Sequence, residues 1–145
     1  MRKATYFTRT RDPQTLTVRE VMEDAVCTVS PQAKGSAIAH IVGERQVGSV
    51  PVVEEDRTLV GLVSEFDLLR VMDEGKDLGQ LAATDIMTRD VVTVTEEMLV
   101  KDVVHLLQER HLIRVPVIKG TTLVGMVARQ DIVFGYVRAT ASYGP

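Results

Sequence analysis

The sequence predicts a mixed α/β (α+β) fold: two repeats of a β-α-β-β-α unit, packed through their sheets about a pseudo-two-fold axis. Two observations lead there, a tandem duplication and a regular change of hydrophobic period within each copy. Shifting the 145-residue chain by 65 positions lays Val21-Met22 on Ile86-Met87 and Val26-Cys27-Thr28-Val29 on Val91-Val92-Thr93-Val94. The same shift lays His40 on His105, Glu44-Arg45 on Glu109-Arg110, and Val50-Pro51-Val52 on Val115-Pro116-Val117. After a one-residue deletion in the second copy, Thr58-Leu59-Val60-Gly61 meets Thr122-Leu123-Val124-Gly125, and Asp67 meets Asp131.

Each copy opens with a short helical turn, from Thr17 to near Met22 and again from Thr84. Brief strands follow at Cys27–Val29 and Val92–Val94. Ser30-Pro31 and Thr95-Glu96 then read as helix starts, an N-cap followed by proline or an acid. Val100, Val103, Val104 and Leu107 fall at i, i+3, i+4 and i+7, one apolar helix face. The matching Gly35, Ile38, Ala39 and Val42 make a smaller face, so another segment should approach that helix closely. Next come two hairpins, Val50–Val53 with Leu59–Ser64 and Val115–Ile118 with Leu123–Ala128, each around a polar turn. Closing helices run over Glu65–Met72 and from Arg129 to about Thr140. The domain reading is a basic arm over 1–14, repeat 1 over 15–73, a linker over 74–81, repeat 2 over 82–141 and a tail over 142–145. A unit of about sixty residues buries little core alone, so Leu68, Leu69, Ile132, Val133 and Val137 of the closing helices are expected to be covered by pairing of the copies.

Hydrophobic residues make up 45% and charged residues 26%, an ordinary globular mixture rather than a disordered one. Seventeen basic against twenty acidic residues, net −3, argue against a broad nucleic-acid surface. The basic cluster Arg2, Lys3, Arg9 and Arg11 reads as a solvated arm or a partner contact. No apolar run suffices for membrane insertion and no secretory signal follows the basic start, so a cytoplasmic protein is expected. The single cysteine, Cys27, excludes an intramolecular disulfide and, with Val26 and Val29 beside it, is expected in a buried strand.

The order apolar-Met, apolar-Thr-Val, Val-Pro-Val and Gly-Leu-Val-Ser-Glu-Phe-Asp, repeated with Gly-Met-Val-Ala-Arg-Gln-Asp, resembles a tandem pair of CBS domains, a Bateman module. The resemblance covers residues 15–140. It implies a stand-alone, non-catalytic regulatory module that binds an adenosine-containing ligand (AMP, ADP, ATP, S-adenosylmethionine or NAD(H)) in clefts between the repeats and passes its state to an effector protein. A disc-like homodimer is implied as well, and no cofactor is required beyond the adenine nucleotide as regulatory ligand.

Within that resemblance Ser64-Glu65-Phe66-Asp67 is the sharpest motif. It lies where a strand meets a helix N-terminus, whose unpaired N–H groups and dipole favour an anion. The resemblance puts Asp67, Asp131 and Ser64 on the ribose. Ser-x-x-Asp is also a capping box; the second copy keeps Asp131 although Ala128 has lost the cap hydroxyl, which favours ribose. Arg114 is the implied phosphate contact, its fork suited to bidentate bonds, with a solvated strand-edge arginine as the alternative. Its counterpart Ser49 is uncharged, so the clefts should differ. Arg129 and His111 are further phosphate candidates. Val26, Thr28, Val91 and Thr93 match the base-pocket pattern, and Pro51 and Pro116, lacking an N–H, would leave a gap at strand ends for a base; strand termini and core account for the same residues.

His40 and His105 recur at equivalent helix positions and suggest a shared structural role. No metal-ligand cluster, Walker-type loop or dinucleotide fingerprint occurs, and Ser64 has no glycine-framed elbow. The competing reading is a ligand-free dimerisation or scaffold module with degenerate clefts, favoured by Ala128 and Ser49.

Overall fold

The structure is a computed structural model that describes residues 12–141. Arg2, Lys3, Arg9, Arg11 and the tail over 142–145 lie outside the described residues. The described chain runs α1 (Val18–Val21), α2 (Gly35–Arg45), β1 (Ser49–Val53), β2 (Leu59–Ser64), α3 (Glu65–Asp73), α4 (Ala83–Ile86), α5 (Val100–Arg110), β3 (Arg114–Lys119), β4 (Thr122–Ala128) and α6 (Arg129–Thr140). Single 3-10 turns stand at Pro13–Thr15, across the boundary drawn between the arm and repeat 1, and at Leu78–Gln80. β1 and β2 pair antiparallel, with Ser49 opposite Ser64 and Val52 opposite Gly61, and β3 pairs with β4.

The chain folds into two compact units, and neither is a contiguous repeat. One, the first-hairpin unit, comprises Cys27–Val92 and Thr121–Leu123. The other, the second-hairpin unit, takes residues 12–26, 93–120 and 124–141 of the described chain. The short helix that opens each repeat thus joins the hairpin of the other repeat.

In the first-hairpin unit, the Ala33 and Pro31 carbonyls accept from the first N–H groups of α4, Ala83 at 2.8 Å and Thr84 at 3.2 Å. Lys34 bridges Ala82, and Leu81 O accepts from Gly35 N–H at 2.8 Å. In the second-hairpin unit, Met98 and Glu96 do the same for Val18 and Arg19 of α1, at 2.9 and 3.0 Å. These bonds satisfy helix N-terminal donors that have no partner within their own helix. They also explain a correction. Ser30-Pro31 and Thr95-Glu96 do not start helices; both segments are turns that cap a neighbouring helix, and α2 and α5 begin only at Gly35 and Val100.

The strands expected at Cys27–Val29 and Val92–Val94 reduce to single parallel bridges, Val29 with Val52 and Val94 with Val117. Cys27 is half-buried outside any strand. Pro51 and Pro116 lie inside β1 and β3 rather than at their ends. Their carbonyls accept from Val29 N–H and Val94 N–H, each at 3.0 Å. A residue's N–H and C=O point to the same side of a strand, so each missing donor faces that bridge and not the hairpin ladder.

The core of the first-hairpin unit joins Ile38 and Val42 of α2, Val50, Val52 and Val63 of the hairpin, Leu68 and Val71 of α3, and Ile86 of α4. The small α2 face is matched by a close neighbour, as its glycine predicts: a Cβ on Gly35 would stand 2.7 Å from Ile86 Cδ1 and 2.8 Å from Leu78 O. In the second-hairpin unit Val18, Val103, Val115, Val117, Met126 and Val127 are fully enclosed. Full burial of such a side chain contributes roughly 1.5–3 kcal/mol.

The closing helices depart from expectation. Leu68 and Ile132 are buried, but Leu69, Val133 and Val137 are 55%, 63% and 52% exposed. Phe66, Met72, Phe134 and Tyr136 are exposed with them. The fold of one chain uses only the inner face of α3 and of α6.

Candidate functional site

In the first-hairpin unit β2 passes straight into α3 at Ser64, which has extended backbone (φ −99°, ψ 167°) and caps the helix. Asp67 Oδ2 accepts from Ser64 N–H at 2.8 Å and from Ser64 Oγ at 2.9 Å, while Asp67 N–H donates back to Ser64 Oγ at 3.2 Å. The capping box is therefore formed in full. Thr88 Oγ1 donates to the same carboxylate, 3.2 Å from Oδ1 and 3.3 Å from Oδ2, and Arg70 reaches Oδ1 at 3.4 Å. Asp67 is only 2% exposed. Opposite Ser64 in the ladder, Ser49 is buried, and its Oγ has no partner among the described residues.

In the second-hairpin unit Asp131 Oδ2 accepts from Ala128 N–H at 2.8 Å. The cap works without a serine hydroxyl. Asp85 does the same for Ala82 at 2.8 Å and Glu20 for Thr17 at 3.1 Å. An acid at the third helical position is thus a repeated structural device at four helix starts, so the retention of Asp131 beside Ala128 is explained by capping alone.

Arg114 heads β3, as Ser49 heads β1. It is half-buried rather than a solvated edge residue, and its Nε is enclosed without a partner among the described residues. Burial pushes the guanidinium's pKa down, and the carboxylates of Glu23 and Asp131 oppose that shift. Arg114, Asp131 and Glu23 are therefore electrostatic neighbours. Glu23 is held by a backbone bridge to Met126, with both N···O distances 2.9 Å.

Sequence reasoning missed Thr88 and Glu23. The signal was available: each follows the repeated methionine, and the 65-residue shift lays one on the other. One unit thus places a hydroxyl, and the other a carboxylate, at equivalent positions.

His111 and Arg129 stand elsewhere in the second-hairpin unit. His111 ends α5 in the left-handed conformation (φ 54°), and Arg129 N–H donates to Ile113 O at 3.0 Å. Both line a cavity of about 570 Å³ that neither Arg114 nor Asp131 lines. Among the base-pocket candidates, Val26, Thr28, Val91 and Thr93 are half-buried, while Pro51 and Pro116 are buried. Thr28 and Val91 belong to the first-hairpin unit, Val26 and Thr93 to the second. His40 faces solvent and lies 3.6 Å from Glu44; His105 is exposed. No helix among the described residues is long and apolar enough to cross a membrane.

Comparison with known proteins agrees with this architecture. The protein MK0525 of Methanopyrus kandleri is 35% identical over 121 residues, 82% of this chain, and the chain spans 62% of that protein's length. The crystal structure of CBSX2 in complex with AMP superposes with a TM-score of 0.76 at 27% identity, covering 84% of this chain and 96% of that one. The CBS domain pair of protein MJ0100, crystallised with 5′-methylthioadenosine and S-adenosyl-L-methionine, gives 0.73 at 25% identity, covering 83% and 97%. Residues 18–74 and 83–137 each match the CBS domain. With both halves of its duplication matched in tandem, the chain belongs to the CBS domain family, as a CBS domain pair.

Proposed function

We propose that this chain is a regulatory, non-catalytic module that binds an adenosine-containing ligand and passes the bound state to a partner protein. The observation that carries the reading is the pair Ser49 and Arg114. These equivalent residues head the two hairpins, and each encloses a polar atom with no partner among the described residues. A buried polar atom without a partner costs about 1–3 kcal/mol, and a ligand oxygen would recover it. Relatives crystallised with AMP, and with 5′-methylthioadenosine and S-adenosylmethionine, support the ligand class.

Arg114 takes an anionic group of the ligand, and Asp131 and Asp67 take ribose hydroxyls. The Asp67 carboxylate gives up its longer bonds to Thr88 and Arg70 and keeps the cap. Val26, Thr28, Val91, Thr93, Pro51 and Pro116 supply apolar surface for the base. Ligand binding regulates by favouring one arrangement of the fold over another.

The test is calorimetric titration with AMP, ADP, ATP, S-adenosylmethionine and NADH, for wild type and for Asp131→Asn, Asp67→Asn and Arg114→Gln. Asparagine keeps one acceptor for the cap. Saturable binding that weakens in the variants supports the reading; no heat with any of the five ligands overturns it.

A second reading, a dimerisation or scaffold module, is favoured by the exposed Leu69, Met72, Val133 and Tyr136 on the closing helices. The two readings are compatible, since a homodimer through α3 and α6 leaves Ser49 and Arg114 where they are in each chain.

A further inference from the structure

Ser49 and Ser64 face each other at the open end of the first hairpin. Just beyond them Glu65 N–H donates to Gly48 O at 3.1 Å, so Ser49 with Ser64 is a non-hydrogen-bonded pair. Side chains in such a pair stand on one face of the sheet, with Cβ atoms about 4.5–5.5 Å apart. Ser64 Oγ is engaged in the cap, donating to Asp67 Oδ2 and accepting from Asp67 N–H. Ser49 is 5% exposed, and its Oγ has no partner among the described residues. A buried hydroxyl therefore points to the start of α3 with its hydrogen bonds unmade.

The surroundings of that hydroxyl suit a neutral group better than a phosphate. The first N–H groups of a helix commonly hold anions, but here Glu65 N–H serves Gly48 and Asp67 N–H serves Ser64. Two carboxylates flank the position: the buried Asp67, and Glu65, whose Oε1 lies 3.7 Å from where a Gly48 Cβ would stand. Arg70 pairs with Asp67 at 3.4 Å, but its side chain is mostly exposed and water screens it. In the second-hairpin unit Arg114 stands for Ser49 and Arg129 for Glu65. Two cations of one unit are thus a hydroxyl and an acid in the other.

On the adenosine-ligand reading proposed above, on which this assignment rests, we infer that the first-hairpin unit takes a nucleoside without a phosphate, a free or 5′-thioether nucleoside, and that Ser49 sets this choice. Asp67 accepts from the ribose hydroxyls, and the Ser49 hydroxyl exchanges a hydrogen bond with the neutral ligand. A phosphate at the same place would meet two carboxylates without the charge-assisted donors that it needs. Phosphate-bearing ligands go to the unit that holds Arg114.

The experiment titrates adenosine, 5′-methylthioadenosine and AMP into the ¹⁵N-labelled full chain and follows amide shifts. The two neutral nucleosides should move the amides of 48–49 and 64–67, with AMP about tenfold weaker or more there, while AMP moves 114 and 128–131. Ser49→Ala should weaken the neutral nucleosides at 48–49 and 64–67 about fivefold. Its melting temperature should not fall, because the hydroxyl it removes has no partner among the described residues. Ser49→Arg, where it folds, should bring AMP level with adenosine at those amides. AMP held in the first-hairpin unit of wild type as tightly as adenosine, or neutral nucleosides indifferent to Ser49→Ala, would overturn the assignment and leave the adenosine reading standing. So would AMP binding at 114 and 128–131 with no response to either neutral nucleoside at 48–49 and 64–67. Silence towards all three ligands overturns both.

Discussion

The Thr88 hydroxyl donates to the Asp67 carboxylate across 21 residues of sequence, 3.2 Å from one oxygen and 3.3 Å from the other. Two repeats contribute to one cluster around the buried Asp67, which caps the closing helix of the first, while Thr88 follows the opening helix of the second. Leu62 and Thr88 exchange backbone bonds at 2.9 Å, which fixes that approach. The equivalent position in the other unit holds Glu23, near Arg114 and Asp131. The two sites thus differ in make-up: one sets a single acid among hydroxyls with Arg70 at its edge, the other two acids around one arginine.

Asp67→Ala should therefore cost stability before it costs any ligand. It strips the acceptor from Ser64 N–H and Oγ and takes the carboxylate away from Thr88 Oγ1. The expected loss is about 1–3 kcal/mol, read as a fall in urea midpoint at unchanged m-value. Asp67→Asn should lose less, because an amide oxygen still caps. Equal midpoints for wild type and Asp67→Ala would remove the carboxylate from the structural role given to it here.

Glu23 should set how much negative charge the second-hairpin unit tolerates in a ligand. Two carboxylates around Arg114 offset its charge, and desolvation makes that charge costly. Glu23→Gln should raise affinity for AMP relative to adenosine by about tenfold, on the scale of one charged interaction of about 1.4 kcal/mol. Arg114→Gln should lower the same ratio. Calorimetry with both ligands on both variants checks the pair. An unchanged ratio in Glu23→Gln would mean that the acid does not face the ligand.

The hairpins and closing helices were legible to within a residue or two, because Pro51, Pro116, the polar turns and the Ser64 cap are local signals. The starts of α2 and α5 were not. Ser30-Pro31 and Thr95-Glu96 carry good local cap signals, but the Pro31 and Glu96 carbonyls are taken by α4 and α1, bonds that local sequence does not encode. The exchange of opening helices was hidden for the same reason; Thr88 and Glu23 were legible as repeat equivalents, but their places beside Asp67 and Arg114 were not. Site chemistry read from one motif pointed to Asp67 and Asp131. It did not see that Asp131 also caps its helix, because a one-sided cap needs no serine.

The close approach at Gly35 gives a contrast within one helix. Gly35→Ala would drive a methyl group against Leu78 O at 2.8 Å, a backbone atom that cannot rotate away. The expected cost is about 1–3 kcal/mol from overpacking. Gly43 lies in the same helix with nothing within 4 Å of its would-be Cβ. Gly43→Ala should stabilise by about 0.5–1 kcal/mol through helix propensity. Thermal melts of the two variants should move in opposite directions, and a shared direction would contradict the packing described for α2.

The outer faces of α3 and α6 supply the last prediction. Leu69 and Met72 on one helix answer Val133 and Tyr136 on the other under the repeat relationship, and all four are more than half exposed. An exposed apolar residue at one such position is ordinary; recurrence at equivalent positions of both closing helices marks a face that another surface covers. Beneath that face of α6 the buried Arg138 guanidinium lies 4.7 Å from the centroid of the Phe134 ring. If a second copy covers these faces, sedimentation equilibrium should give twice the chain mass for wild type. The double variant Leu69→Lys, Val133→Lys should then run as a monomer with an unchanged far-UV spectrum, since neither side chain is part of the core. Wild type running as a monomer at high micromolar concentration would refute self-association, and a dimer that survives both lysines would place its interface elsewhere on the chain.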